Sequence, residues 1–259
     1  MSGAASGGRR GPRARAPSPP AVSRSILSVA GLARTVLRRY ALEAPVTCVL
    51  WVEGVHDTYR VQAAGATHWL RVYPAGARAP AAIAAELELL DDLAAARVPV
   101  AAPIHGKDGR SFYGVAAPEG RRYAALFAHA PGSAAIVTSP ARAQRYGQTA
   151  AIIHQIADRK PAGYRRPQLD PRYLIDRSLA SIARYFSHRP RDLDYLCRLA
   201  AALAEKIRQL LPGTATPEYG LCHADLHPYN VRWEQDEMTL FDFDLCGYGW
   251  RAYDIAVFL

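Results

Sequence analysis

His223, Asp225, His227, Asn230, Asp242 and Asp244 fall within 22 residues of a stretch otherwise rich in apolar side chains. The run reads Leu221-Cys-His-Ala-Asp-Leu-His-Pro-Tyr-Asn-Val-Arg-Trp233, and Leu240-Phe-Asp-Phe-Asp-Leu245 follows shortly after. Carboxylates among apolar neighbours are costly unless they are paired, hydrogen-bonded or bound to a metal. Phosphoryl transfer gives this spacing a reason. Asp225 would accept or orient the proton of an attacking hydroxyl, and Asn230, five residues on, would turn its amide oxygen to a cation. Asp242 would add a carboxylate to the same cation, and such hard oxygen ligands suit magnesium. A rival reading takes His223-x-Asp225-x-His227 as alternating metal ligands of a hydrolase. Against it, Pro228 ends any strand at once and no further His or Cys ligand motif appears.

The elements that must hold these groups follow from periodicity. Apolar residues at helical spacing predict a helix over Ser25–Tyr40. Strands are predicted at Val46–Val52, Thr58–Ala63, His68–Tyr73, Phe112–Ala117 and Tyr123–His129, with a helix over Ile83–Ala96. Pro131-Gly132 closes this part. Helices are then predicted over Arg142–Asp158, Pro171–Ser187 and Asp192–Leu211, before short strands from Tyr219 and a final helix from about Tyr253. The order implies an α+β chain with two lobes: a basic, disordered tail over 1–25, a β-rich lobe over 26–131 and a helical lobe over 132–259. The chain stops at Ala-Val-Phe-Leu259, inside an apolar helical segment without a cap, so a C-terminal truncation is expected.

The 259 residues are half hydrophobic, enough to bury a core without disulfides or a structural metal. The net charge of +9 is concentrated at one end. Residues 1–42 hold eight Arg and no acid, which leaves 24 basic and 23 acidic residues for the remainder. A broad nucleic-acid-binding surface is therefore not expected. Apolar runs are too short for a membrane-spanning helix. The four Cys have no CxxC spacing, and no secretory signal precedes them, which points to a cytoplasmic chain with reduced thiols. An Arg-rich, acid-free leader also has the composition of a transit peptide.

His223-Ala-Asp-Leu-His-Pro-Tyr-Asn230, Leu240-Phe-Asp-Phe-Asp244 and Arg251-Ala-Tyr-Asp254-Ile-Ala together resemble the aminoglycoside phosphotransferase family, nearest its stress response kinase A and homoserine kinase-like group. The resemblance spans roughly residues 45–259 and is strongest from 219 onward. It implies a bilobal protein-kinase-like fold, ATP and Mg2+ in the cleft, and transfer of the γ-phosphoryl to a hydroxyl of a small molecule. It makes Asp225 the catalytic residue and Asn230 and Asp242 the metal ligands. His68-Trp-Leu-Arg71-Val-Tyr73 resembles the strand that carries a phosphate-gripping Lys. The three Lys (107, 160, 206) lie elsewhere, so Arg71 takes that place. Glu86 matches its helix partner, and Glu88 points about 200° away around the helix. Val52–Arg60 takes the nucleotide-loop position. Phe127-Ala-His-Ala-Pro-Gly132 resembles the hinge, with backbone of about Ala125–Phe127, including Leu126, meeting adenine.

The resemblance makes Asp254 the anchor of the catalytic loop. His223, His227 and His154 read as structural, Cys222 and Cys246 as core, and the Arg pairs at 121–122, 165–166 and 189–191 as solvated. Asp244 reads equally as a second metal contact or a surface carboxylate. Ala224 and Tyr229 stand where the family tends to have Gly. The remaining alternatives are a pseudokinase or inactive nucleotide-binding fragment, a protein Ser/Thr kinase and the His/Asp metallohydrolase.

Overall fold

A computed structural model of the chain describes residues 21–134, 139–161, 163–211 and 213–259. Most of the predicted tail lies outside the described residues. Its last part does not: Ser25 donates to Glu119, and Arg122 donates to the Ser25 carbonyl at 2.7 Å. Residues 25–28 are not helical, and the first helix, α1 (Val29–Thr35), starts later than periodicity predicts. Ser28 Oγ caps it by accepting from the Gly31 N–H at 3.1 Å.

The N-lobe is an antiparallel sheet. Its strands are β1 (Val46–Glu53), β2 (Asp57–Ala63), β3 (Ala66–Tyr73), β4 (Pro103–Ile104), β5 (Phe112–Ala117) and β6 (Gly120–Ala128), and α2 (Pro80–Ala95) lies between β3 and β4. The order is β1-β2-β3-β6-β4, with β5 also on β6. Strand alternation divides the side chains between two cores. Leu70, Val72, Ala124 and Leu126 face α1, together with Tyr59 and Val61. Tyr73, Ala125 and Phe127 face the other way, into a core shared with α2 and the C-lobe. Pro80 opens α2 at a position where its missing N–H costs nothing, and the helix buries Ile83, Leu87, Leu90 and Leu93.

The chain leaves the sheet at Ala128 and is stitched to the C-lobe at Ser133, whose N–H and carbonyl pair with Trp233 at 3.1 and 2.9 Å. Gly132 before it has φ +89, and a Cβ there would sit 2.1 Å from the Trp233 carbonyl oxygen. Only glycine fits that turn.

The C-lobe holds α3 (Pro140–Ala157), α4 (Arg177–Ala183), α5 (Pro190–Leu210), β7 (Tyr219–Cys222), the hairpin β8 (Val231–Glu234) and β9 (Glu237–Leu240), β10 (Gly247–Trp250) and α6 (Ala252–Phe258). The helix predicted over Pro171–Ser187 breaks into a π-helical stretch (Arg172–Asp176), α4 and a 3-10 turn (Arg184–Phe186). α5 forms as the pattern predicts but buries none of its side chains. No helix of the described residues is long and apolar enough to cross a membrane.

Two of the Arg predictions need correction. Arg121, Arg165 and Arg189–Arg191 are exposed, but Arg122 and Arg166 are buried. Arg122 lies on the same face of β6 as Ala124 and Leu126, where it pairs with Asp57 at 2.6 Å and donates to the Tyr73 carbonyl. Arg166 donates to the carbonyls of Ala82, Phe243, Asp244 and Cys246, which ties α2 to the segment after β9. Both cations find fixed acceptors that water would otherwise have supplied.

Candidate active site

β3 places Trp69, Arg71 and Tyr73 on the face turned toward the C-lobe. Arg71 is the centre of the arrangement. Its Nη1 meets Glu86 Oε1 at 2.8 Å, and its Nη2 meets Asp242 Oδ1 at 3.0 Å. The guanidinium lies 4.8 Å from the Phe127 ring centroid. Burial alone would make Arg71 easier to deprotonate, but Asp242, Tyr73 and Glu86 hold it above its ordinary value.

Glu86 is wholly buried, and its second oxygen accepts from the Tyr73 hydroxyl at 3.1 Å. Burial pushes its carboxyl up, and Arg71 pulls it partway back. Glu88 points the other way and pairs with Lys160 at 2.8 Å. Of the two acids, Glu86 is therefore the one that faces Arg71.

β7 delivers the chain into the loop His223–Asn230. Ala224 has φ +68, a left-handed conformation that costs a non-glycine residue about 1 kcal/mol. Asp254, at the start of α6, holds this bend. It accepts from the N–H groups of His223 (3.0 Å) and Ala224 (2.7 Å), and its Oδ2 meets His154 Nε2 at 2.7 Å. The Asp254 carboxyl lies below its ordinary value: burial opposes this, but the His154 bond, His223 and the Ala224 N–H outweigh it.

The loop histidines turn inward onto their own backbone. His223 Nδ1 accepts from the Asp225 N–H at 3.2 Å, with its ring centroid 4.2 Å from that of Phe243. Burial pulls its pKa down. His227 Nδ1 accepts from the Tyr229 N–H at 3.1 Å. These bonds take up the Nδ1 atoms, while His227 Nε2 lies 3.5 Å from Asp225 Oδ2. Among the described residues, one His/Cys/acid group is close enough to hold a cation: His154, Cys222 and Asp254. Its Asp254 oxygens already receive three N–H groups, and burial pushes the Cys222 thiol up.

Asn230 Nδ2 donates to Asp225 Oδ2 at 2.7 Å and to the Asp225 carbonyl at 3.0 Å. That orientation leaves Asn230 Oδ1 without a hydrogen bond among the described residues. Asp225 Oδ1 likewise stays open. The Phe241 N–H donates to the Asn230 carbonyl at 3.1 Å, which ties the loop to the next segment. Asp242 then adopts φ +66, and its side chain is 38% exposed, with Arg71 as its cationic partner. The oxygens of Asn230 and Asp242 are the hard donor set that magnesium prefers.

Asp244 is neither a surface carboxylate nor open to a metal. Arg78 grips it with two bonds, 3.0 and 2.7 Å, and His56 Nε2 lies 3.1 Å away. Burial opposes ionisation, but His56 and Arg78 drive its carboxyl well below the usual range. His56 sits in the β1–β2 loop, so Asp244 pins that loop to the segment carrying Asp242. Sequence reasoning missed this clamp because Arg78 lies in a loop without motif or periodicity, and nothing in the Val52–Arg60 segment points His56 at Asp244.

Of these groups, Arg71, Asp242 and His56 line a cleft of about 450 Å³ between the lobes, whereas Asp225 and Asn230 are not part of its lining. Trp51, Trp69, Arg71 and Phe127 line it from above, and Arg232, Phe241 and Asp242 from below. The hinge-side lining runs from Phe127 to Ala130, including His129, whose Nδ1 accepts from Trp69 Nε1 at 3.0 Å. Leu126 is off the cleft. Alternation along β6 turns its side chain into the α1 core, and β3 and β4 pair with it on either side.

Residues 52–259 match the model of the phosphotransferase enzyme family. An uncharacterized protein of Synechocystis sp. is 40% identical over 91% of this chain and 65% of its own length. One of Deinococcus radiodurans is 38% identical over 90% of the chain and 67% of its own length. The chain thus spans about two thirds of the length of these two relatives. Among solved structures, amicoumacin kinase hAmiN in complex with AMP-PNP, Ca2+ and Ami superposes with a TM-score of 0.71 at 22% identity, covering 85% of this chain and 64% of that one. That likeness agrees with the bilobal kinase-like fold built from the strands and helices above. With the match running from Val52 through Asp254 to Leu259, the chain belongs to the phosphotransferase enzyme family.

Proposed function

We propose that this chain carries the machinery of an ATP- and magnesium-dependent phosphotransferase that moves the γ-phosphoryl group to a hydroxyl of a small molecule. The observation that carries the reading is Arg71, held between Glu86 at 2.8 Å and Asp242 at 3.0 Å. One cation thereby couples strand, helix and metal-ligand segment across the cleft. The nucleotide and divalent cation in the hAmiN structure support the same assignment.

In this reading Arg71 grips phosphate oxygens, with Glu86 fixing the planar fork. Asn230 Oδ1 and Asp242 would hold magnesium, which supplies positive charge against the phosphates. Asn230 also orients Asp225 by occupying its Oδ2. Asp225 Oδ1 is then free to accept the acceptor hydroxyl's proton as the oxygen attacks phosphorus and the bond to the β-phosphate oxygen breaks. The protein's contribution is positioning and charge neutralisation.

The test is thermal denaturation with and without an ATP analogue plus magnesium, alongside phosphoryl-transfer assays on a panel of small alcohols. A magnesium-dependent rise in melting temperature that Asp242→Ala abolishes is expected. Asp225→Ala should lower turnover by roughly two or more orders of magnitude with little change in nucleotide affinity. Unchanged turnover in Asp225→Ala rejects the assignment.

A further inference from the structure

The loop between β1 and β2 contributes Gly54, Val55 and His56 to the cleft lining. On the cleft side, His56 ties it to Asp244 at 3.1 Å. A second tie reaches the same loop from the α1 side of the sheet. It comes from a segment that lies before the residues matching the family, 52–259. Arg24 Nη2 donates to the Gly54 carbonyl at 2.7 Å, and the same nitrogen pairs with Asp57 Oδ1. Asp57 is wholly buried, and its other oxygen takes Arg122 Nη2 at 2.6 Å.

The residues that follow Arg24 are themselves fixed. The Ser25 N–H and hydroxyl donate to the Glu119 carboxylate at 3.2 and 2.7 Å. Arg122 Nη1 donates to the Ser25 carbonyl at 2.7 Å, and the Tyr59 hydroxyl donates to the Leu27 carbonyl at 2.7 Å. Arg24 therefore reaches the loop from an anchored backbone. The loop has little to hold it otherwise. Val55 at its tip is 76% exposed, and Gly54 is the one glycine of Val52–Arg60, the residue type with the most backbone freedom to lose. The Gly54 N–H donates to the His56 carbonyl at 3.2 Å, and Arg24 takes the Gly54 carbonyl. The loop's shape is thus set by polar ties, not by burial of its tip.

We propose that Arg24 is a positioning residue for the nucleotide site: the segment Arg24–Leu27 is a strap that holds the β1–β2 loop in its binding shape. The proposal rests on the nucleotide reading above and extends it to a residue that is not part of the cleft lining. A loop that samples several shapes binds with an affinity reduced by the fraction of time spent in the competent one, and the strap raises that fraction. Because both bonds leave from one nitrogen, a lysine ammonium at position 24 can replace them.

Calorimetric titration of wild type, Arg24→Ala and Arg24→Lys with magnesium–AMP-PNP tests this, together with amide hydrogen exchange of the ligand-free proteins. Arg24→Ala should bind the nucleotide roughly fivefold more weakly, and Arg24→Lys should bind as wild type does. In Arg24→Ala the amides of residues 53–57 should exchange faster, while those in β3 and β6 stay as protected as in wild type. Arg24→Ala that matches wild type in affinity rejects the strap and leaves the nucleotide reading standing. Weaker binding with unchanged exchange at 53–57, or with faster exchange throughout the sheet, overturns positioning of the loop. Equal weakening in Arg24→Lys overturns the shared-nitrogen tie. Wild type that binds no nucleotide rejects the nucleotide reading and, with it, the strap's role.

Discussion

Glu86 offers the sharpest test of how the cleft is held. Its carboxylate is wholly buried and has two partners, Arg71 at 2.8 Å and the Tyr73 hydroxyl at 3.1 Å. Glu86→Gln keeps the shape. The amide oxygen can still accept from Arg71, and the amide nitrogen can donate to the Tyr73 oxygen, because a hydroxyl both gives and takes. What is lost is the charge on one bond, and a charged bond exceeds a neutral one by about 1 kcal/mol. Arg71 is not stranded, since Asp242 remains at 3.0 Å. Glu86→Ala is different. It leaves the buried Tyr73 hydroxyl without an acceptor, at about 1–3 kcal/mol, and strips Arg71 of its innermost partner. The expected losses are therefore about 1–1.5 kcal/mol for Gln and about 3–5 kcal/mol for Ala. Urea denaturation at neutral pH measures both, and a magnesium–nucleotide titration should show weaker binding in each. Equal losses for Gln and Ala, or an Ala variant within about 0.5 kcal/mol of wild type, would refute the account of Glu86 as a charged, doubly bonded anchor.

Gly132→Ala should destabilise by about 2–4 kcal/mol, since its Cβ would sit 2.1 Å from the Trp233 carbonyl oxygen at φ +89, and thermal melts check it. Asp57→Ala should cost about 3 kcal/mol by leaving buried Arg122 with only the more distant Glu119 carboxylate at 3.6 Å, and adding Arg122→Met should recover most of that loss in the same denaturation assay. Asp254 supplies a pH signature. Because its folded-state value lies below 3.8, its stabilising contribution is complete above that pH and is lost as pH falls through the folded value. Asp254→Asn should therefore flatten the acid limb of stability against pH, and an unaltered limb would show that Asp254 does not hold the loop as a carboxylate.

The parts legible in the sequence are those whose geometry is local. Asp225 and Asn230 share one short loop, so their spacing alone brings them together. Arg71 shares a strand face with Tyr73, so alternation fixes where it points, and the helical turn angle separates Glu86 from Glu88. Alternation also holds the reason why Leu126 misses the cleft and Arg122 is buried: both lie on the α1 side of β6. The pairing of two adjacent arginines hides this, because one of each pair at 121–122 and 165–166 is solvated.

Other features depend on loops meeting across the fold. The Asp244 clamp joins residues 56, 78 and 244, and no pattern in the chain brings His56 or Arg78 to that carboxylate. Helix α5 shows the opposite limit. Its periodicity correctly gives a helix with an apolar stripe, yet Leu199 and Leu203 stay more than 40% exposed, since periodicity defines a face and not what covers it. Arg232 combines both lessons. Its place two residues after Asn230 puts it beside the His223–Asn230 loop, but only the hairpin register that lays β8 against β9 brings its guanidinium onto Phe241. The chemistry of the cleft floor is therefore set by how the hairpin pairs, and a one-residue slip between β8 and β9 would remove it while leaving every motif residue in the sequence unchanged.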